Sequence, residues 1–360
     1  GKQILRFTRM VGCTQLDMFT YARNNFKKRS YRLNNMAKEE LNGLTKDDLD
    51  IFLITPYMKD YNLRVPIMHY CEKDAILPLL LILKFKVLKR AVAKSRNLGI
   101  TYQEAFNRGQ QFSLYIDIMH QKREMFLEKQ KDWFYNIFVP VDIMPQISGY
   151  EGALVFSPRG GFYLDPVATL DFSGLYPSIM MAYNLDVTTL LKKGKEGKMR
   201  CEEKIDCRTH EDDPGDYFKV YTAKVDATDY SAYRPYHDPQ SMDMFVKPQV
   251  REGLMPYIQR KSKTKRKQWK AYRDKWPEGS ANWEAGEMAQ LEEKLSMNAR
   301  YGFFGTGNKG IYPCYEVARS VTAIGQRMLI LASHICMTTA CKKNGYSFDS
   351  DGVYGDTDSI

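Results

Sequence analysis

Apolar and polar positions follow two rhythms along this chain, and they divide it into helical and extended stretches. A basic helical start covers Tyr21 to Arg32, and an apolar helix follows Asp74 through Ala75 to Leu83. That run contains Pro78 and falls short of the roughly 20 residues a bilayer requires, so it reads as a core helix. From 99 to about 145, aromatic and methionine positions recur at helical spacing, as in Phe112, Tyr115, Ile116 and Met119. Gly149-Tyr150-Glu151-Gly152 is a turn that ends this segment. Strand-like stretches come next: Ala153 to Phe156, Gly161 to Leu164 and Val167 to Leu170.

A polar stretch from Lys192 to Ser241 reads as an insertion or surface subdomain. Two long helical patterns, Val250 to Arg273 and Trp283 to Tyr301, flank the turn Trp276-Pro277-Glu278-Gly279 and predict an antiparallel hairpin. A further helix spans Tyr315 to Ala340, and Asn344-Gly345 breaks it. A strand then leads into Tyr354-Gly355-Asp356-Thr357-Asp358-Ser359.

Composition narrows the picture modestly. The 360 residues suffice for two or three packed units, and 44% hydrophobic with 13% aromatic residues is a globular composition. A net charge of +10 suits a polyanionic partner but does not by itself select nucleic acid. Seven scattered cysteines fit a reducing compartment better than a disulfide framework. No signal peptide or membrane span is visible, so no membrane partner is expected. The chain starts at Gly1 and stops at Ile360 inside a predicted strand, which reads as a fragment of something longer.

The chemistry concentrates in three places. Asp171 follows one predicted strand, while Asp356 and Asp358 flank a single residue in a turn after another. Carboxylates at neighbouring strand ends can converge on Mg²⁺, although an Asp-x-Asp turn alone is also common surface chemistry. Two such ions suit phosphoryl transfer. Asp349-Ser350-Asp351-Gly352 reads as an ordinary turn.

The second place is the basic helix, with eight Lys or Arg residues between Arg260 and Arg273. These make either a solvated face or a phosphate clasp. Arg266 and Lys270 share one face of it, and Lys294 and Asn298 share one face of the opposing helix. Such rows could hold a triphosphate, Arg as a fork and Lys as a point charge. The third is Lys294 to Gly302, where Tyr301 offers a flat face to a base pair or packs in the hairpin core. Gly302 permits close backbone approach.

With these residues in view, the chain resembles family B DNA polymerases of the delta-like and herpesvirus-like kind. Asp171 to Ser178 is similar to their D-x-x-S-L-Y-P-S motif, Lys294 to Gly302 to K-x3-N-S-x-Y-G, and Tyr354 to Ser359 to Y-G-D-T-D-S. Tyr150-Glu151-Gly152-Ala153 resembles their Y-x-G-G/A motif, and Tyr70 to Asp74 the third exonuclease motif, Y-x3-D. Arg108 to Gln111, Pro313-Cys314 and Ser320 to Thr322 add to the likeness.

The resemblance implies an α/β (α+β) right-hand fold without its thumb. Residues 1–95 would be the C-terminal part of a ribonuclease-H-like 3′–5′ exonuclease domain and 96–150 a connecting helical segment. The palm, with an antiparallel sheet, would take 151–249, including the insertion at about 192–241. Two-helix fingers would take 250–302, and 303–360 would return to the palm.

It also implies template-directed addition of deoxynucleotides to a primer 3′-hydroxyl. Asp171 and Asp358 would bind two Mg²⁺, assisted by Asp356. Backbone amides of Phe172, Ser173, Gly174, Leu175 and Tyr176 would cradle the triphosphate. Tyr176 would be a steric gate against a 2′-hydroxyl, or else a core residue. Arg266, Lys270, Lys294 and Asn298 would grip phosphates as the fingers close. Tyr301 and Gly302 would check the base pair, and Tyr150, Gly152 and Ala153 would touch the template. Tyr70 and Asp74 would be an exonuclease remnant.

The expected partners are primer-template DNA, deoxynucleoside triphosphates and a processivity factor bound through segments outside this chain. The expected location is a nucleus, or a cytoplasmic viral factory. The parent protein would also proofread; this segment would not, because no D-x-E precedes Tyr70.

Two departures stand out: Gly174 and Ala299 occupy positions where the family has serine, which predicts altered nucleotide affinity rather than inactivity. Cys201, Cys207, His210 and His237 lack zinc-site spacing, Gly310-Ile311-Tyr312 lacks the partner motif of a nuclease, and His69, His120 and His334 read as structural. The competing function is a catalytically inactive, polymerase-derived DNA-binding protein. Retention of Asp171, Asp358, Lys294 and Tyr176 argues against it.

Overall fold

The computed structural model describes residues 12–47, 49–107, 110–129, 149–191, 217–222, 242–306 and 313–360. The candidate zinc residues, Arg108-Gly109, Gly310 to Tyr312 and most of the predicted insertion lie outside the described residues. The chain forms two compact units, one of residues 1–117 and 269–292, the other of 118–268 and 293–360.

In the first unit, helices α1 (Met18–Asn25), α2 (Leu33–Glu40), α3 (Ile51–Lys59), α4 (Arg64–Lys84), α5 (Val87–Leu98) and α6 (Tyr102–Asn107) follow one another. Their ends are written in the sequence. Asp17 and Asp50 accept the Phe19 and Phe52 amides in the first turns of α1 and α3, Gly99 closes α5 at φ 64°, and Thr101 with Glu104 forms a reciprocal capping box for α6. One core gathers Tyr21, Val87, Ala91, Leu98, Ile100 and Phe106, and a second Ala22, Met36 and Leu81. The basic start is helical only to Asn25, since Phe26 is already extended. The predicted core helix 75–83 lies within α4, yet only Leu77 and Leu81 of its long apolar residues are buried; Leu79 and Leu83 are 59% and 69% exposed.

The second unit includes most of α7 (Gln110–Lys129), then α8 (Leu175–Ala182) and a small antiparallel sheet of β1 (Leu190–Leu191), β2 (Tyr217–Tyr221) and β3 (Met242–Val246) in the order β1-β3-β2. Leu190 pairs with Phe245, and Val220 with Asp243. The predicted hairpin appears as α9 (Leu254–Arg273) and α10 (Ala281–Phe304), shared between the two units, and α11 (Tyr315–Thr339) follows. Val317, Ala318, Val321 and Leu329 of α11 are fully buried. Gly325 faces α8, where an added Cβ would stand 3.1 Å from the Tyr176 ring.

The strands predicted at 153–156, 161–164, 167–170 and before Tyr354 do not form as strands. Only single bridges join Val155 to Asp356 and Asp171 to Ser359. The backbone there is extended and bonded, with the amide of Phe156 on the Gly355 carbonyl at 2.8 Å and that of Leu170 on Ile360 at 2.8 Å. Residues 353–357 pair with one segment and 358–360 with another, so neither ladder runs on. Phe162 and Leu164 are both 89% exposed and pair with nothing regular.

Candidate active site

The two acidic motifs meet through their backbones. Phe172 donates its amide to the Asp358 carbonyl at 2.7 Å, one bond beyond the mutual pair of Leu170 and Ile360. The Asp-x-Asp turn is tight: Thr357 sits at φ 56°, rare for a β-branched residue, and the Asp358 amide reaches the Asp356 carbonyl at 2.6 Å. Gly355 precedes it because the Phe156 ring lies 2.5 Å from where a Cβ would be. Gly174, at φ 66° and ψ 58°, starts α8 in the left-handed region, where serine would be strained. That gives a local reason for one of the two departures.

A cavity of about 380 Å³ lies over these loops. Its acidic wall is Asp171 and Asp358, with Thr357 between the loops. Its floor is Phe172 to Pro177, and its cationic wall is Arg266 of α9 with Lys294, Met297 and Asn298 of α10. Burial raises the Asp358 carboxyl above the ordinary range, and the charges of Asp171 and Asp356 raise it further, while Lys294 pulls it back. Negative and positive charge thus line one partly open cavity.

The structure sorts the expected residues. Asp171, Asp358, Arg266, Lys294, Asn298 and the 172–176 loop share the cavity. Asp356 does not line it: its carboxylate accepts from the Thr357 hydroxyl at 2.7 Å and from Tyr354 at 3.3 Å. Among the described residues no group of three His, Cys, Asp or Glu side chains is set to hold a metal ion. Lys270 is exposed one turn beyond Arg266 on α9 and does not line the cavity. The Phe172 amide is occupied by Asp358 and cannot also cradle phosphate. The amides of Leu175 and Tyr176, in the first turn of α8, have no intrahelical acceptor.

Of the other basic-helix cations, Arg260 pairs with Glu252, Lys261 with Glu124 and Arg273 with Glu287 at 2.7 Å. Part of that face is therefore an ordinary ion-pair surface.

The tyrosines form a cluster. The Tyr176 and Tyr301 rings meet at a 58° tilt with centroids 4.5 Å apart, and the hydroxyls of Tyr150 and Tyr301 lie 3.3 Å apart. Burial foremost, then the nearby Asp358, pushes the Tyr176 hydroxyl up to about 12, and burial likewise raises Tyr301, so both stay protonated at neutral pH. Space for a Cβ at Gly302 is open. Close backbone approach occurs instead at Gly305, where the Tyr150 hydroxyl stands 2.2 Å from that position. Gly152 and Ala153 are exposed, and the Gly152 carbonyl accepts from Gln326 at 2.6 Å. Asp74, with Tyr70 one turn before it on α4, is paired with Lys46 at 2.7 Å, and that ammonium lies 5.7 Å from the Tyr70 ring centre.

Several framing residues were not foreseen. Asn184 donates to the Val246 and Arg251 carbonyls at 2.7 and 2.8 Å and accepts the Gly253 amide at 2.9 Å. Asp186 accepts the first α9 amide, Leu254, at 3.3 Å, and its full burial raises its carboxyl. Arg319 forks onto Asp243, which also accepts from Ser320 at 3.0 Å. The signal for these was weak: polar residues within otherwise apolar runs.

Comparison with known proteins gives the family. A structure of the family B DNA polymerase from the hyperthermophilic archaeon Pyrobaculum calidifontis superposes with a TM-score of 0.64 at 23% identity, covering 97% of this chain and 38% of that one, a likeness of fold. The profile of DNA polymerase family B matches residues 100–360, and the chain belongs to that family. Among curated relatives, the DNA polymerase delta catalytic subunits of Bos taurus and Schizosaccharomyces pombe are 33% and 32% identical over the whole of this chain. The chain spans 29% and 30% of those relatives.

Proposed function

We propose that this chain carries the nucleotidyl-transfer centre of a replicative DNA-directed DNA polymerase, which extends a primer 3′-hydroxyl on a DNA template. The observation that carries this reading is the single cavity with Asp171 and Asp358 on one side and Arg266, Lys294 and Asn298 on the other. The crowded carboxylates fit divalent cations: oxygen donors of like charge, one with a raised carboxyl, are relieved by a hard ion such as Mg²⁺. Two bound Mg²⁺ would polarise the attacking and leaving oxygens. Asp171 and Asp358 would hold them, with Asp356 supporting the turn.

Arg266 forks onto phosphate oxygens, Lys294 offsets charge between the phosphates and Asp358, and Asn298 donates through its amide. The first turn of α8 presents backbone N–H groups to the same anion. Tyr176, braced between Gly325 and Tyr301, limits the room beside the sugar. Tyr301 and Gly302 are assigned to the check on the base pair. Tyr150, Gly152 and Ala153 are assigned to the template strand, and Lys270 to a triphosphate only when the fingers close.

In domain terms we assign residues 151–249 and 303–360 to the palm and 250–302 to the fingers. Segment 96–150 connects them to an exonuclease-like region at 1–95. Primer-template DNA and deoxynucleoside triphosphates are the substrates, a processivity factor binds elsewhere, and the nucleus is the site of action. No described helix is long and apolar enough to cross a membrane.

Asp358→Ala in the full chain tests the assignment. Primer extension should disappear while primer-template affinity stays near wild type. Undiminished extension would remove Asp358 from the reaction.

A further inference from the structure

The cationic wall of the cavity is built on two helices, so its geometry depends on how α9 and α10 are held in register. Their shared base buries Met255, Ile258, Met297 and Phe304, and with them polar residues such as Gln259, Ser262, Glu293 and Ser296. Apolar packing is non-directional and resists a small slide or rotation poorly. Into this base the chain places a guanidinium: Arg300 is 2% exposed, among the largest fully buried side chains described.

Arg300 of α10 donates through Nη1 to the Ser262 hydroxyl of α9 at 2.9 Å and reaches the Gln259 Oε1 at 3.5 Å. Gln259, itself fully buried, donates through Nε2 back to the Met297 carbonyl of α10 at 2.9 Å. Polar contacts thus run across the hairpin in both directions. Ser262 lies one helical turn before Arg266, and Met297 lies between Lys294 and Arg300, so the bonded atoms sit next to the cavity-lining ones.

A buried charge is costly unless its donors are met, and a well-packed apolar residue would often stabilise more. What the guanidinium adds is direction: its Nη1 bond to Ser262 across the helices has a preferred geometry that apolar contacts lack. In the sequence, Arg300 falls on the buried face of α10, three residues after Met297 and four before Phe304.

We propose that Arg300 is a positioning residue which, through Ser262 and Gln259, fixes Arg266 opposite Lys294 and Asn298 and so sets the affinity of the cavity for a nucleoside triphosphate. It touches no substrate itself. This inference rests on the polymerase reading above.

Single-nucleotide insertion by the full chain on a primer-template, with thermal melting in parallel, tests it. Arg300→Met keeps an unbranched apolar side chain, and losing a charge-assisted bond should raise the nucleotide KM about tenfold. The kcat and the primer-template affinity should change little. Ser262→Ala, which removes only a hydroxyl, should raise KM about threefold, and the double variant should be no worse than Arg300→Met alone. Arg300→Lys, which keeps one donor, should recover part of the loss.

Fully multiplying effects of the two substitutions would overturn the proposal. So would an unchanged KM in folded Arg300→Met. If Arg300→Met does not fold, an unchanged KM in Ser262→Ala decides against it. A wild-type chain that inserts no nucleotide sinks the polymerase reading and this inference with it, whereas an active wild type with insensitive variants sinks the inference alone.

Discussion

The two ends of one helical hairpin are anchored by opposite chemistry. At its base, where α9 begins and α10 ends, Asn184 and Asp186 fasten the chain entering α9, and Gln259, Ser262 and Arg300 bond across the helices from fully buried positions. Its tip, residues 269–292, belongs to the first unit, and its ion pairs are partly exposed. Glu284 is clasped by Lys86 and Lys89, Arg96 lies 5.7 Å from the Trp269 ring centre, and Asn97 reaches the Ala289 carbonyl at 3.4 Å. Buried directional bonds hold a geometry, because breaking one leaves an unsatisfied group. Ion pairs whose ammonium partners stay half-exposed, as Lys86 and Lys89 do, are shared with water and salt and hold less. The cavity-lining cations Arg266 and Lys294 stand on the base, and the exposed Lys270 belongs to the other unit.

That contrast can be broken at either end. The largest effect is expected at the base. Lys294→Ala should lower kcat/KM for nucleotide at least about a hundredfold, since an oriented charge in a partly dry cavity is lost, with melting near wild type. A loss under about threefold would mean that the base is only a scaffold.

The next effect lies at the tip, and it is steric. A Cβ on Gly286 would stand 2.9 Å from the Cβ and 3.0 Å from the Cα of Arg273, which only backbone movement can relieve. Gly286→Ala should cost about 1–3 kcal/mol in urea unfolding, offset in part by better helix propensity. Unchanged stability would show that the helices part easily there.

The smallest effect concerns Glu284, whose carboxyl is held down from 4.5 to about 2 by hydrogen bonds from Lys89 and then Lys86. A depressed carboxylate adds stability above its unfolded value and loses it as pH falls through the folded one. Glu284→Gln should therefore melt slightly below wild type at pH 7 in low salt. The two curves should converge as pH drops from about 4.5 toward 2, and also near 1 M NaCl, where the screening length is about 3 Å. A gap that persists in high salt would make the tip contact a buried one.

Much of this was legible in the residues. The hairpin and the long helix after it appear within a few positions of where apolar periodicity and the Trp276 to Gly279 turn placed them, because local spacing and breakers suffice to set helix limits. The 153–156 and 167–170 stretches misled, since strand character needs a partner that continues, and here the partner changes between Thr357 and Asp358. Gly302 and Gly305 look alike in one dimension, and only Tyr150, over 150 positions upstream, makes Gly305 the crowded one.

Residue identity and spacing along the chain were enough to single out candidate acids and cations and the helices that carry them, since these depend on short-range rules. Folding chose among them. It turned Asp171 and Asp358 onto one cavity, kept Asp356 within its own turn, occupied the Phe172 amide and buried Arg300 between two helices. Those choices depend on neighbours distant in sequence, and a side chain's surroundings decide whether its charge is shared with water, with a partner or with a substrate.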